Sequence, residues 1–111
     1  MLDALLLNYS CRVKNPSQAI KSKLASENIV DVEEEDLLEF TNLSHLDVSD
    51  NHIQMHKLQN LINLEDLDLQ YNSLNGLRLT NGSFARLRVL RLSYNRIPPS
   101  HLVELGALRS L

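Results

Sequence analysis

The sequence predicts an α/β solenoid, with short parallel strands on the concave face of an arc and 3-10 or short helical turns on its convex face. One motif, L-x-x-L-x-[LV]-x-x-N-x-[LI], carries this prediction, and it begins at Leu43, Leu64 and Leu87. Its central apolar pair has period 2, so both residues point to one side of a strand. The asparagine follows three residues later, where its carboxamide can bond the free backbone groups of a turn. The predicted asparagine ladder is Asn51, Asn72 and Asn95.

The spacing is the leucine-rich repeat signature and divides the chain into six segments. Successive motifs begin 21 and then 23 residues apart, and a further one opens at Leu108 after another 21. In the same register Ala19 begins a degenerate repeat with Glu27 in place of the asparagine. The predicted segments are a leader or cap at 1–18, the degenerate repeat at 19–42, repeats at 43–63, 64–86 and 87–107, and the start of a further repeat at 108–111.

Both ends of a stack of repeats need cover, because a bare end exposes apolar side chains. At the amino end, Leu2, Leu5, Leu6 and Leu7 are expected to form an apolar plug over the first repeat. At the carboxyl end, Leu108 and Leu111 would leave a hydrophobic edge. We therefore expect further repeats or another subunit to cover that end.

The segments between the strands carry turn and short-helix signals. Asn15-Pro16-Ser17 is typical of a turn or helix start. Leucines at every third position, Leu58, Leu61 and Leu64, favour a tight 3-10 or short α turn. Ser100 as N-cap and Gly106 as stop predict a short outer helix. The acidic run Asp31–Asp36 fits either a solvated helix start or a docking patch for a basic partner.

Composition excludes several classes of function. The net charge of −3 argues against a general nucleic-acid binder, and no apolar run approaches membrane-spanning length. The single cysteine, Cys11, and the absence of a signal peptide indicate an intracellular, reducing location. Asn-x-Ser sequons at Asn8, Asn42 and Asn81 leave a secreted receptor as a further alternative, which would carry glycans on Asn8 or Asn81.

No residue pattern in the sequence indicates catalysis or a bound cofactor. His52 and His56 are four residues apart but span a turn and lack a third ligand, so we expect two solvent-facing histidines and no metal. Cys11 has no base placed beside it, and the glycines form no phosphate-binding loop. The chain is therefore expected to be a non-enzyme without a cofactor.

The register places a charged and aromatic surface on the concave face. The inward positions are Lys21, Lys23, His45, Asp47, Asp50, Glu65, Asp66, Asp68, Tyr71, Arg88, Arg91, Tyr94 and Arg109. Of these, the predicted partner-binding residues are Asp47, Glu65, Asp68, Tyr71, Arg88, Arg91 and Tyr94. We expect opposite charges to neighbour one another at Lys23–Asp47 and Asp68–Arg91. Tyr71 and Tyr94 are expected to form an aromatic step, unless they pack beneath the outer turns.

The irregular segments add a more specific resemblance. The opening Leu2-Asp3, Leu7-Asn8, Cys11-x-Val13 and Pro16-Ser17, the cap ending Asn28-Ile29-Val30-Asp31, and the run from Leu90 to Leu111 resemble the X-ray radiation resistance-associated proteins. The resemblance covers the whole chain but only the amino-terminal portion of that family. It implies a large intracellular leucine-rich repeat protein without a known catalytic motif.

From this resemblance we expect a non-catalytic scaffold that binds other proteins, with several subunits of a large complex as partners. A ciliary or flagellar axoneme is the expected assembly, and the cytoplasm or cytoskeleton the expected location, with the nucleus as an alternative. The second hypothesis is a soluble regulatory adaptor associated with a phosphatase, with repair or with RNA processing. Neither hypothesis includes a membrane or direct contact with nucleic acid.

Overall fold

The computed structural model of the chain describes residues 1–80, 82–108 and 110. The predictions for Asn81, Arg109 and Leu111 lie outside these residues. The regular elements are helix α1 (Ala4–Cys11) and strands β1 (Lys21–Lys23), β2 (His45–Asp47), β3 (Asp66–Asp68) and β4 (Val89–Arg91). Short 3-10 helices span Pro16–Gln18, Asp36–Glu39, Met55–Leu58 and Pro99–Ala107.

The four strands form one parallel sheet in chain order. Their register aligns Ser22, Leu46, Leu67 and Leu90, so equivalent motif positions lie side by side. Parallel strands cannot be joined by a tight hairpin, and 3-10 helices lie in the connections from β1 to β2 and from β2 to β3. The architecture is compatible with an α/β repeat fold.

The motif leucines fill the core beneath the sheet. Leu46, Leu67 and the flanking Val48 and Leu69 are at most 2% exposed. Each such side chain stabilises the fold by about 1.5–3 kcal/mol when fully buried. On β4 the equivalent Leu90 is only half-buried. Burial therefore decreases from the inner strands to the last one.

The leader covers the first strand through helix α1. Asp3 caps the helix, because its carboxylate accepts a hydrogen bond from the Leu6 amide at 3.0 Å. Leu2 and Leu7 are fully buried, and Leu6 is half-buried. The expected plug was wrong for Leu5, which is 81% exposed because it lies on the outer face of the helix.

The acidic run Asp31–Asp36 holds this leader in place. Leu2 pairs with Val32 in a parallel bridge, and the Asp36 carboxylate accepts a hydrogen bond from the Ala4 amide at 3.0 Å. Glu34 forms an ion pair with Lys57 at 3.7 Å. Part of the run is thus engaged within the chain, while Asp31, Glu33 and Glu35 are exposed.

The outer connections differ from expectation in two places. A 3-10 helix spans Met55–Leu58, and of the three leucines whose spacing predicts such a turn only Leu58 lies within it. The helix expected to begin after Ser100 instead begins at Pro99, runs through Gly106 and ends at Ala107 as a 3-10 helix. The proline explains the early start, since its fixed φ and missing N–H suit the first helical turn.

Candidate protein-binding surface

The asparagines hold each turn against the turn of the preceding segment. The Asn51 side-chain oxygen accepts hydrogen bonds from the Glu27 and Ile29 amides at 3.1 and 2.9 Å. Its nitrogen donates to the Leu24 and Val48 carbonyls, both at 2.9 Å. Together with a bond to the Ser49 carbonyl at 3.0 Å, a single carboxamide thereby contacts five backbone groups where the strands end. A hydrophobic residue at this position would leave those groups without partners.

Asn72 and Asn95 repeat this arrangement in the next two turns. Asn72 accepts from the Ile53 amide at 2.9 Å and donates to the Val48 carbonyl at 2.9 Å. Asn95 accepts from the Asn72 and Leu74 amides at 3.0 and 2.9 Å. Asn51 and Asn72 are buried, whereas Asn95 is half-buried. The three side chains fix the path of the backbone at the carboxyl ends of the strands.

The residue before each of the three asparagines has left-handed backbone geometry, and so has the residue before Glu27, which takes the asparagine's place in the degenerate repeat. Ser26, Asp50, Tyr71 and Tyr94 have φ of 58°, 54°, 57° and 60°. The amides of the first three donate to the next turn, for example from Asp50 to the Gln70 carbonyl at 2.9 Å and from Tyr71 to the Ser93 carbonyl at 3.2 Å. This geometry disfavours a large side chain with a Cβ. Tyrosine is therefore an unusual residue at two of the four positions.

The two tyrosines stack on each other in solvent. Their ring centroids are 4.3 Å apart and their planes differ by 5°. Tyr71 is 49% exposed and Tyr94 71% exposed, so neither ring packs beneath the outer turns. Partial desolvation raises the pKa of Tyr71, and the Tyr94 phenol and the Asp50 charge raise it further. The pair presents a flat aromatic surface with two phenol hydroxyls beside the sheet.

The predicted acidic residues at the strand ends have a second role in the fold. The Asp47 carboxylate accepts a hydrogen bond from the Ser49 amide at 2.9 Å, and Asp68 accepts one from the Gln70 amide at 3.0 Å. Such Asx turns end a strand and start the following turn. Both aspartates are half-buried, so each carboxylate remains partly accessible to a partner.

The ion pair on this face differs from the expected one. Arg91 lies beside Asp68 in the register, but its guanidinium binds Asp66 at 2.6 Å. Asp66 is two residues earlier on the same face, within reach of a long arginine side chain. Lys23 and Asp47 also lie side by side, yet among the described residues they form no ion pair. The positive charges of Lys21 and Lys23 therefore remain exposed at the β1 side.

The seven predicted partner-binding residues are spread along the strands, from just before their first residues to just beyond their last. Asp47, Asp68 and Arg91 line a groove of about 240 Å³ on the strand face. Glu65 and Arg88 line two further cavities of about 430 and 280 Å³ where the strands begin, and the smaller one shares His45 and Asp66 with the groove. Tyr71 and Tyr94 follow the strand ends. The structure thus brings three of the seven together in the groove. It places Glu65 and Arg88 where the strands begin, and Tyr71 and Tyr94 beyond the strand ends.

The set of predicted partner-binding residues omits two features of this surface. Val89 occupies the position of His45 and Asp66 and is 40% exposed, which interrupts the charged face with an apolar side chain. Asp66 was predicted to face inward but was not singled out, although it is the residue that binds Arg91. The common offset of both residues from the motif leucines is the signal that finds them.

The histidine, cysteine and carboxylate side chains of the described residues are candidate metal ligands or reactive groups. Within it, no three His, Cys, Asp or Glu side chains converge as metal ligands would. His52 is exposed, but His56 is half-buried beside a cavity, so the expectation of two solvent-facing histidines holds for one. The Cys11 thiol donates to the Lys21 carbonyl at 3.2 Å. Across residues 1–80, 82–108 and 110, helices are too short or too polar to cross a bilayer.

A comparison with protein families identifies the repeat. The Leucine Rich Repeat family model matches residues 86–108, which include β4, Tyr94 and Asn95. Residues 86–108 are therefore similar to a leucine-rich repeat. Repeats of this family generally mediate contacts between proteins and are typically non-catalytic. The leucine-rich repeat match therefore supports a protein-binding role. The charged and aromatic residues of the strand face are accessible for such a role.

Proposed function

We propose that the chain is a non-catalytic module that binds other proteins through the strand face and the Tyr71–Tyr94 pair. The stacked, exposed tyrosines are the observation that carries this proposal. Tyrosine gives a large, rigid contact area with few rotatable bonds, and it is enriched among the residues that dominate binding energy. The neighbouring groove supplies charges that orient a partner.

The backbone strengthens this interpretation. Left-handed geometry at a residue with a Cβ is unfavourable by about 1–2 kcal/mol, and glycine or asparagine would adopt it more readily. The fold alone would therefore favour a smaller residue at both positions. Strained positions concentrate at functional sites, where the surrounding structure maintains them. Two adjacent turns present tyrosine in this way, which favours a role in recognition.

On the scale of the cell, we infer that the module is a scaffold subunit of a large intracellular assembly, such as a ciliary or flagellar axoneme. The half-buried Leu90 and Leu92 at the β4 side would gain burial against further repeats, as in a solenoid, or against a neighbouring subunit. This inference rests on the resemblance to the X-ray radiation resistance-associated proteins. A soluble adaptor would use the same face with a smaller partner.

The binding surface is tested by replacing the rings while keeping the backbone preference. Because asparagine tolerates positive φ, Tyr71→Asn/Tyr94→Asn removes the aromatic surface without adding strain. We expect the double variant to have a melting temperature no lower than that of the unmodified chain and to lose cross-links to partners in native extract. Tyr9→Asn is the matched control, since Tyr9 is 82% exposed on α1, away from the strand face.

The control variant should keep the same cross-links as the unmodified chain. Partner cross-links that survive in the double variant but disappear after Tyr9→Asn would reject the proposed surface.

The cellular role is tested separately by extraction of the native source with detergent and then salt. A scaffold subunit should stay in the detergent-insoluble cytoskeleton, with cross-links to fixed neighbours. Recovery as a small soluble complex, cross-linked through Tyr94 and the arginines, would reject the axonemal role in favour of the adaptor.

A further inference from the structure

A second candidate site lies between two of the 3-10 helices, away from the strand face. A cavity of about 340 Å³ opens between the segment around Met55–Leu58, the start of Pro99–Ala107 and the connection after β3. Its lining residues are Gln54, His56, Asn75, Gly76, Arg78 and His101. None of the residues on the proposed binding surface contributes to it.

The lining is cationic and rich in hydrogen-bond donors. Arg78 offers a permanently charged guanidinium, and His56 and His101 add two imidazoles. Gln54 and Asn75 contribute carboxamides that donate through their nitrogens. No carboxylate lines the cavity, although the whole chain has a net charge of −3. Among the described residues, Arg78 takes part in neither of the two ion pairs.

His101 is held in one orientation by the chain itself. Its Nδ1 accepts a hydrogen bond from the Leu77 amide at 3.3 Å, so in the neutral ring the proton is on Nε2. The ring also occupies the space that a side chain at position 76 would need. A Cβ on Gly76 would lie 2.8 Å from Nδ1 and 2.9 Å from Cε1. Gly76 thus allows His101 to reach the wall of the cavity.

We propose that this cavity binds a phosphate group. Phosphate carries a charge of about −1.5 to −2 at neutral pH and three acceptor oxygens in a phosphorylated side chain. A guanidinium, two imidazoles and two carboxamides provide more donors than a single carboxylate accepts, and such a donor set suits the several acceptor oxygens of a phosphate group. The group is supplied either by free inorganic phosphate or by a phosphoserine of a partner protein. The site is independent of the strand face.

The test is an NMR titration of the imidazole resonances of His56 and His101, in which sodium chloride is adjusted to keep the ionic strength constant. Inorganic phosphate is one ligand, and a short phosphoserine peptide with its unphosphorylated counterpart is the other. We expect saturable shifts of both histidines with a phosphorylated ligand. Saturation by inorganic phosphate alone assigns the free anion, whereas saturation by the phosphopeptide alone, or tighter binding of it, assigns a partner side chain.

Three variants separate a site from a general charge effect. Arg78→Gln should weaken binding roughly tenfold or more, because it removes a charge-assisted contact. Arg96→Gln is the matched control, an exposed arginine outside the cavity, and should leave the affinity unchanged. Gly76→Ala should also weaken binding while retaining all charges, since the new Cβ displaces the His101 ring.

Melting curves test whether each variant keeps its fold, and Arg78→Gln decides the question even if Gly76→Ala does not fold. No saturable shift with either phosphorylated ligand would overturn the proposal. Equal weakening by Arg78→Gln and Arg96→Gln would also overturn it, because that result indicates screening and not a site.

Discussion

The inner strands and the last strand carry the same motif but differ in burial. Leu67 on β3 and Asn72 after it are 0% and 1% exposed, whereas Leu90 and Asn95 at the same positions of the next motif are half-buried. The residues are identical in type, so the difference comes from what lies beside them. At the opposite side, helix α1 supplies this cover for β1. Burial in this molecule is therefore a property of neighbours, and the motif alone does not guarantee it.

The largest expected effect follows from the leucines. Leu67→Ala should lower the free energy of unfolding by about 2–5 kcal/mol, the range for a buried leucine that leaves a cavity. Leu90→Ala should cost clearly less, because solvent already reaches that side chain. Chemical denaturation of the two variants measures the difference directly. Equal losses would mean that β4 is as well packed as β3, contrary to the burial described above.

The asparagine ladder gives a smaller effect with the same direction. Asn72→Ala should cost about 1–3 kcal/mol, because the buried Ile53 amide and Val48 carbonyl lose a partner. Asn95→Ala should cost less, since water can reach the groups that it releases. Asn42→Ala serves as control, because Asn42 is exposed and its side chain, among the described residues, bonds only to the Ser17 carbonyl. A melting temperature unchanged in Asn72→Ala would contradict the proposed role of the ladder.

The cap at the amino side should contribute about 0.5–2 kcal/mol through Asp3. Asp3→Ala removes the acceptor for the Leu6 amide and loosens the helix that covers β1. Glu39→Ala provides a comparison, because Glu39 is an exposed acidic residue outside the leader. Thermal unfolding of both variants is the measurement. A larger loss from Glu39→Ala would show that charge, and not capping, sets the stability here.

The smallest expected effect is a pH dependence at the tyrosine pair. The folded-state pKa of Tyr71 lies above the ordinary 10.0, so the folded chain keeps a proton that the unfolded chain releases. Stability from this group is complete below about pH 10 and is lost as pH rises through the folded pKa. Asp50→Asn should lower the Tyr71 pKa, measured by phenolate absorbance against Tyr71→Phe. A pKa that is unchanged or higher in Asp50→Asn would exclude the charge of Asp50 as a cause.

The sequence predicts some of these features and not others, for physical reasons. The period-2 leucines place β2, β3 and β4, because a half-buried strand needs alternation. The stacking of Tyr71 on Tyr94 follows from equal motif positions, but their positive φ does not, since tyrosine rarely adopts it. Arg91 binds Asp66 although Asp68 is its register neighbour, and the motif does not contain this choice because it depends on side-chain geometry. Likewise, only the orientation of α1 decides that Leu5 faces solvent while Leu7 is buried.

Amide hydrogen exchange of the unmodified chain tests most directly whether neighbours set local stability. Three equivalent amides each donate a hydrogen bond of 2.9 Å to an asparagine side-chain oxygen. They are Ile29 to Asn51, Ile53 to Asn72 and Leu74 to Asn95. The bonds are alike, so differences in protection report how easily each turn opens. We expect the Ile29 and Ile53 amides to exchange more slowly than the Leu74 amide, whose partner is half-buried. Equal protection at all three, or the slowest exchange at Leu74, would contradict this account.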